Sequence, residues 1–85
     1  MTKKEARALA MLINALEVSH IDMRGKRLGT PEWYRALAAQ YRATAELVRF
    51  GVPMMIATSG ADGLERDAVD SEHAADIIES RARVA

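Results

Sequence analysis

Two groups of basic residues have the chemistry to bind an anion, and the first is a turn at residues 24–30. Arg24, Lys26 and Arg27 precede Thr30-Pro31, where a helix is expected to begin. The free amides and positive dipole end of a helix N-terminus favour a bound phosphate. The turn lacks the preceding strand and the Gly-Lys order of a nucleotide-binding loop. We therefore favour a solvated turn, whose cations complement the C-terminal end of the preceding helix.

The second basic group is a row of arginines at every seventh position: Arg35, Arg42 and Arg49. On a helix they would stand about 10.5 Å apart and could follow a phosphate backbone together with the turn. Glu32 and Glu46 stand three or four residues from these arginines, an offset that favours intrahelical ion pairs on a solvated face. Nucleic-acid binding through Arg24, Lys26, Arg27, Arg35 and Arg42 is therefore the alternative function, disfavoured by zero net charge and by a turn without aromatic residues.

Residues for catalysis or metal binding are few. His73 has Asp70 and Asp76 three residues to either side, but the two carboxylates diverge around a helix. His20 falls on the apolar stripe of the first helix, and Ser59 lacks the Gly-x-Ser-x-Gly pattern of a nucleophile elbow. We expect no metal site, no cofactor, no small-molecule substrate and no enzymatic activity.

The size and composition of the chain predict a single domain over residues 1–85 with a thin core. The chain has 85 residues, a mass of 9.3 kDa and no cysteine, so no disulfide can supplement the core. Hydrophobic residues make up 49% of the sequence, but 16 of them are alanines. A chain this short buries only about 60–65% of its unfolded surface.

Two long helices are predicted first, over about 2–23 and about 31–50. Thr2 followed by Glu5 is the pattern of a capping box, and Gly25 is a stop signal. Thr30-Pro31 starts the second helix and Gly51 ends it. The short connection between the helices favours an antiparallel hairpin.

The third helix is predicted over about 66–83, after a loop at 51–63 whose early part could be extended or a short helical turn. The predicted fold class is all-α: an antiparallel helical hairpin with a third, shorter helix packed across it, forming a small bundle. Residues 1–28 carry a net charge of +3 and residues 51–85 a net charge of −4. We expect the acidic third helix to lie against the basic hairpin, in the same chain or in a neighbour.

Surplus apolar surface provides the functional hypothesis. The first helix has a second apolar stripe, including Met11, Ala15 and Val18, separate from the stripe around Leu12 and Leu16. One stripe is usual for a surface helix, so the second contacts either the rest of this chain or a second copy. Met54 and Met55 carry flexible thioethers, which suit an adaptable contact surface. The alternative is that they fill the end of the bundle. The candidate interface residues are Met11, Ala15, Val18, Met54, Met55 and Ile56.

The leading hypothesis is a non-catalytic helical protein–protein interaction module, an accessory or regulatory factor that forms a homo-oligomer, most simply a dimer. Its expected partners are a second copy of itself and another protein, and we expect no binding to a membrane. The longest stretch without a charged residue, Phe50 to Ala61, is 12 residues long and is too short to span a bilayer. We expect a cytoplasmic protein.

Overall fold

The computed structural model describes residues 1–52 and 60–84, which contain three α-helices. Helix α1 spans Lys3–Arg24, α2 spans Pro31–Phe50 and α3 spans Gly60–Val84. The fold is therefore a small all-α bundle, as predicted. The expectation of a shorter third helix is wrong, because α3 has 25 residues and is the longest of the three.

Side-chain caps set the ends of α1 and α2 where the sequence predicted them. The Thr2 hydroxyl accepts a hydrogen bond from the Glu5 amide, and the Glu5 carboxylate accepts one from the Thr2 amide, both at 3.1 Å. The Thr30 hydroxyl accepts a hydrogen bond from the Trp33 amide at 3.3 Å. Helix α2 ends at Gly51, whose φ of 102° is readily adopted only by glycine.

Helix α3 begins about six residues earlier than predicted. Residues 60–63 belong to the helix and not to the preceding loop. Gly63 is buried within the first turns, so a residue that is typical of connectors here serves as a packing position without a side chain. Asp62 stands near the positive end of the helix dipole, which favours an early start.

Helix α2 is the centre of the molecule. It contacts both α1 and α3, whereas α1 and α3 do not contact each other within the described residues. The prediction that the third helix packs across the hairpin is therefore corrected, because in the described part of the chain α3 packs on α2 and not on α1. Arg35 near the start of α2 pairs with Glu79 near the end of α3, so the two helices are antiparallel.

Small residues line the contact between α2 and α3. Ala38 and Ala45 on α2, and Ala68 and Ala75 on α3, are seven residues apart on each helix and almost fully buried. Alanine at these positions lets two antiparallel backbones approach closely, with many dispersion contacts between them. The acidic third helix thus lies against the basic row of α2 in its own chain.

The described core is thin. Of its eight buried hydrophobic residues six are alanines, and the two larger ones are Leu47 and Leu64. The Cα radius of gyration is 14.6 Å, compared with about 12 Å for a compact domain of this length. The accessible surface is 6120 Å², compared with about 5,000 Å² for a folded monomer of this mass. The single chain therefore leaves about 1,100 Å² more surface in contact with solvent than usual.

Candidate protein interface

The predicted second stripe of α1 is exposed along its length. Met11 is 73% exposed and Val18 is 54% exposed, and Ala15 between them is exposed as well. At about 100° per residue these three side chains fall within an arc of about 60°. We call this surface, together with the neighbouring exposed Ala8, the outer face of α1.

The other stripe of α1 faces α2. Leu9, Leu12, Leu16 and Met23 are half-buried and Ser19 is buried, with spacings that alternate between three and four residues. The centre of this stripe lies about 100° around the helix from the centre of the outer face. Because α2 is the only helix that α1 contacts in the described part of the chain, nothing there covers the outer face.

Two isoleucines of α1 add apolar surface beyond the predicted residues. Ile13 follows the same helical spacing as Leu12 and Leu16 and yet is 45% exposed, and Ile21 is 69% exposed. The segment that contains the other candidates, Met54, Met55 and Ile56, lies outside the described residues.

The basic turn is held by its own contacts. Lys26 Nζ lies 3.6 Å from Asp22 Oδ1, and the Thr30 hydroxyl donates to the Arg27 carbonyl at 2.7 Å. Arg24, Lys26 and Arg27 are all exposed, as the solvated-turn interpretation expects. The Thr30 hydroxyl already binds one of the free amides at the start of α2, which leaves fewer donors for an anion.

The arginine row forms ion pairs with α3. The carboxylates involved are themselves seven residues apart, so the pairs repeat along both helices, and we call them the arginine ladder. Its three pairs are Arg35 with Glu79, Arg42 with Glu72 and Arg49 with Glu65. Two aspartates extend it, Asp76 at 3.5 Å from Arg35 and Asp62 at 3.2 Å from Arg49.

The predicted intrahelical pairs are mostly replaced by this ladder. Arg49 does contact Glu46 at 3.4 Å, as predicted. In the described part of the chain neither Arg35 with Glu32 nor Arg42 with Glu46 forms an ion pair, because the α3 carboxylates take these guanidinium groups instead. Single-helix spacing could not reveal these competitors, which depend on the alignment of α3.

The ladder shifts the pKa of both partners. Hydrogen bonds from the arginines lower the pKa of Glu65, Glu72 and Glu79 below their ordinary value, because they stabilise the carboxylate form. The same bonds raise the pKa of Arg42. All six groups of the three pairs are thus held charged at neutral pH, and their charges largely cancel locally.

Neither a metal cluster nor a deep pocket is evident in residues 1–52 and 60–84. No three His, Asp or Glu side chains converge there in a metal-binding arrangement. His20 and His73 are both exposed. A hollow of about 210 Å³ is lined by Gly63, Arg66, Asp67 and Asp70, which is smaller than the roughly 300 Å³ of typical ligand sites.

None of the helices in the described ranges combines the length and the apolar character needed to cross a bilayer. Comparisons of the chain with protein-family models, with curated proteins and with solved structures find no match. The described helices form a small all-α bundle, and within the described residues α1 is covered by α2 on one side.

Proposed function

We propose that this protein is a non-catalytic protein–protein interaction module that acts as a homodimer, in an accessory or regulatory role in the cytoplasm. The observation that supports it best is the outer face of α1. Met11 and Val18 are more than half exposed on a helix that, among residues 1–52 and 60–84, packs against α2 and no other helix. A row of exposed apolar side chains of this kind is typical of a surface that another macromolecule covers.

The surface area supports a partner of protein size. The excess of about 1,100 Å² over a compact monomer compares with about 800 Å² that each partner buries in a standard interface. A chain with a thin core gains stability when a second copy buries part of this surface, because the hydrophobic contribution scales with the apolar area removed from water. Dimerisation thus compensates for the small size of the chain.

The nucleic-acid alternative stays a prediction, and the ladder gives it less support. Arg35 and Arg42 are two of its five proposed contacts, and both already pair with carboxylates of α3. A phosphate backbone would have to compete with these acidic groups. The exposed cations of the turn remain, but the net charge of zero provides no long-range attraction to a polyanion.

The proposal is tested by the mass of the protein in solution. Size exclusion coupled to light scattering, at micromolar concentration, should give twice the chain mass of 9.3 kDa. Dilution should shift the population towards the single chain, because association is a mass-action equilibrium. A mass of 9.3 kDa that does not rise with protein concentration would contradict the proposal.

A further inference from the structure

We propose that the occupant of the outer face of α1 is the same helix of a second copy, in antiparallel orientation, with a two-fold axis level with residue 13. This inference rests on the proposed homodimer and specifies its geometry. It follows from the spacing of the outer face, the sizes of its side chains and the charges at its two ends.

The outer face continues as a regular seam over most of α1. Residues recur on it at alternating intervals of four and three, which is the pattern by which two helices pack along a shared stripe. Its six positions are Lys4, Ala8, Met11, Ala15, Val18 and Asp22. All six are exposed, so the seam is continuous and accessible.

The seam of one copy is complementary to the seam of a second copy that runs in the opposite direction. When two copies run antiparallel about residue 13, residue numbers at the same level add up to 26. Met11 of one copy then lies level with Ala15 of the other, and Val18 lies level with Ala8. Each large side chain faces a small one, so two such helices pack closely without a clash between large residues.

The ends of the seam favour the same alignment. Lys4 lies level with Asp22 of the second copy, and the two-fold axis creates this pair twice. Asp22 contacts Lys26 at 3.6 Å through one oxygen, and its side chain is 56% exposed, so it can accept a second cation. A parallel alignment would instead place Lys4 against Lys4 and Asp22 against Asp22, where like charges repel.

The other exposed apolar row in the described chain, on α3, lacks this complementarity. Val69 and Ile77 are exposed there with His73 between them, and no pair of opposite charges closes the two ends of the row at matching distances. The outer face of α1 is therefore the surface that specifies one alignment of a second copy.

Charge exchange at the ends of the seam tests the alignment. The variants are Lys4→Asp, Asp22→Lys and the double variant that carries both, and sedimentation equilibrium gives the dimer dissociation constant of each. Each single change replaces two attractive contacts by two repulsive ones, so we expect dissociation constants about tenfold higher than that of the wild type. The double variant restores both attractions and should return close to the wild-type value.

Lys3→Asp is the matched control. It makes the same charge change one residue away, about 100° around the helix and off the seam, and should leave dimerisation nearly unchanged. Lys4→Asp places a charge that the helix dipole favours, so weaker association of this variant cannot be attributed to a weaker helix. Asp22→Lys also removes the ion pair with Lys26, so its helix content has to be compared with that of the wild type. Far-ultraviolet circular dichroism of each variant confirms its helix content.

The outcomes separate this inference from the proposed function. A dimeric wild type whose single variants are unaffected, or whose double variant stays as weak as the single ones, would overturn the antiparallel alignment and leave the homodimer intact. A wild type that is monomeric throughout the concentration range would overturn both.

Discussion

Arg42 of α2 and Glu72 of α3 form an ion pair at the middle of the arginine ladder. Seven residues away in either direction along both helices, the same residue types pair again. A shift of one helix by a single residue would break all three pairs at once. The ladder therefore fixes the alignment of α2 and α3, because the small alanines between them allow several alignments. Exposed pairs of this kind contribute more to specificity than to stability.

Removing the central pair should reveal a small coupling energy. A double-mutant cycle of Arg42→Ala and Glu72→Ala, measured by urea unfolding, should give about 0.5 kcal/mol, because both side chains are nearly half exposed. The matched cycle of Arg42→Ala and Glu46→Ala should give almost none, since these residues do not pair. Equal coupling in the two cycles would show that the ladder has no specific contribution.

The ladder also predicts a pH dependence. The folded-state pKa of Glu72 lies below its ordinary value of 4.5, so its stabilising contribution is complete above that pH. As the pH falls through the lower folded value, the carboxylate protonates and the contribution is lost. A Glu72→Gln variant should therefore unfold at a lower temperature than wild type at neutral pH, and the difference should close in acid. A difference that stays constant as the pH falls would contradict the pairing.

The alanine contact between α2 and α3 should not tolerate a larger residue. Ala68 is fully buried between α2 and α3, so Ala68→Leu should destabilise the protein by about 1–3 kcal/mol through overpacking. Ala39→Leu, on the exposed side of α2, should change stability by about 0.5 kcal/mol or less. Thermal unfolding at a fixed protein concentration distinguishes the two variants. Similar melting temperatures for both would be evidence against close packing between α2 and α3.

Two glycines at helix ends should respond differently to alanine. Gly51 has a φ of 102°, so Gly51→Ala should cost about 1 kcal/mol through backbone strain, although there is open space for the methyl group. Gly25 has a φ of −78°, which alanine adopts readily, and Gly25→Ala should be nearly neutral. Urea unfolding of both variants tests this difference. A neutral Gly51→Ala would indicate that this turn is not held in the left-handed conformation.

The local signals in the sequence were sufficient for α1 and α2. Thr2, Thr30 and Gly51 act through hydrogen bonds and backbone angles that involve residues only a few positions away, so their effects can be predicted from neighbours alone. The exposed residues Met11 and Val18 were likewise predictable, because helical periodicity assigns them to a face other than the one around Leu12.

The start of α3 and the ladder depend on contacts distant in the sequence. Gly63 indicates a connector when its neighbours alone are considered, and its burial in the helix follows from packing in the folded chain. The intrahelical pairing expected for Arg42 failed for a similar reason, because Glu72 lies 30 positions away. Matching heptads of Arg on one helix and Glu on another would have been the available signal.

The central claim, that a second copy covers the outer face of α1, is tested most directly by two matched valine variants. Val18 and Val69 are 54% and 56% exposed, and both lie within long helices. Light scattering should find Val18→Lys at the mass of one chain, because its charge would be buried in the dimer, and Val69→Lys at twice that mass. If Val18→Lys remains as dimeric as Val69→Lys, the outer face is not the dimer interface.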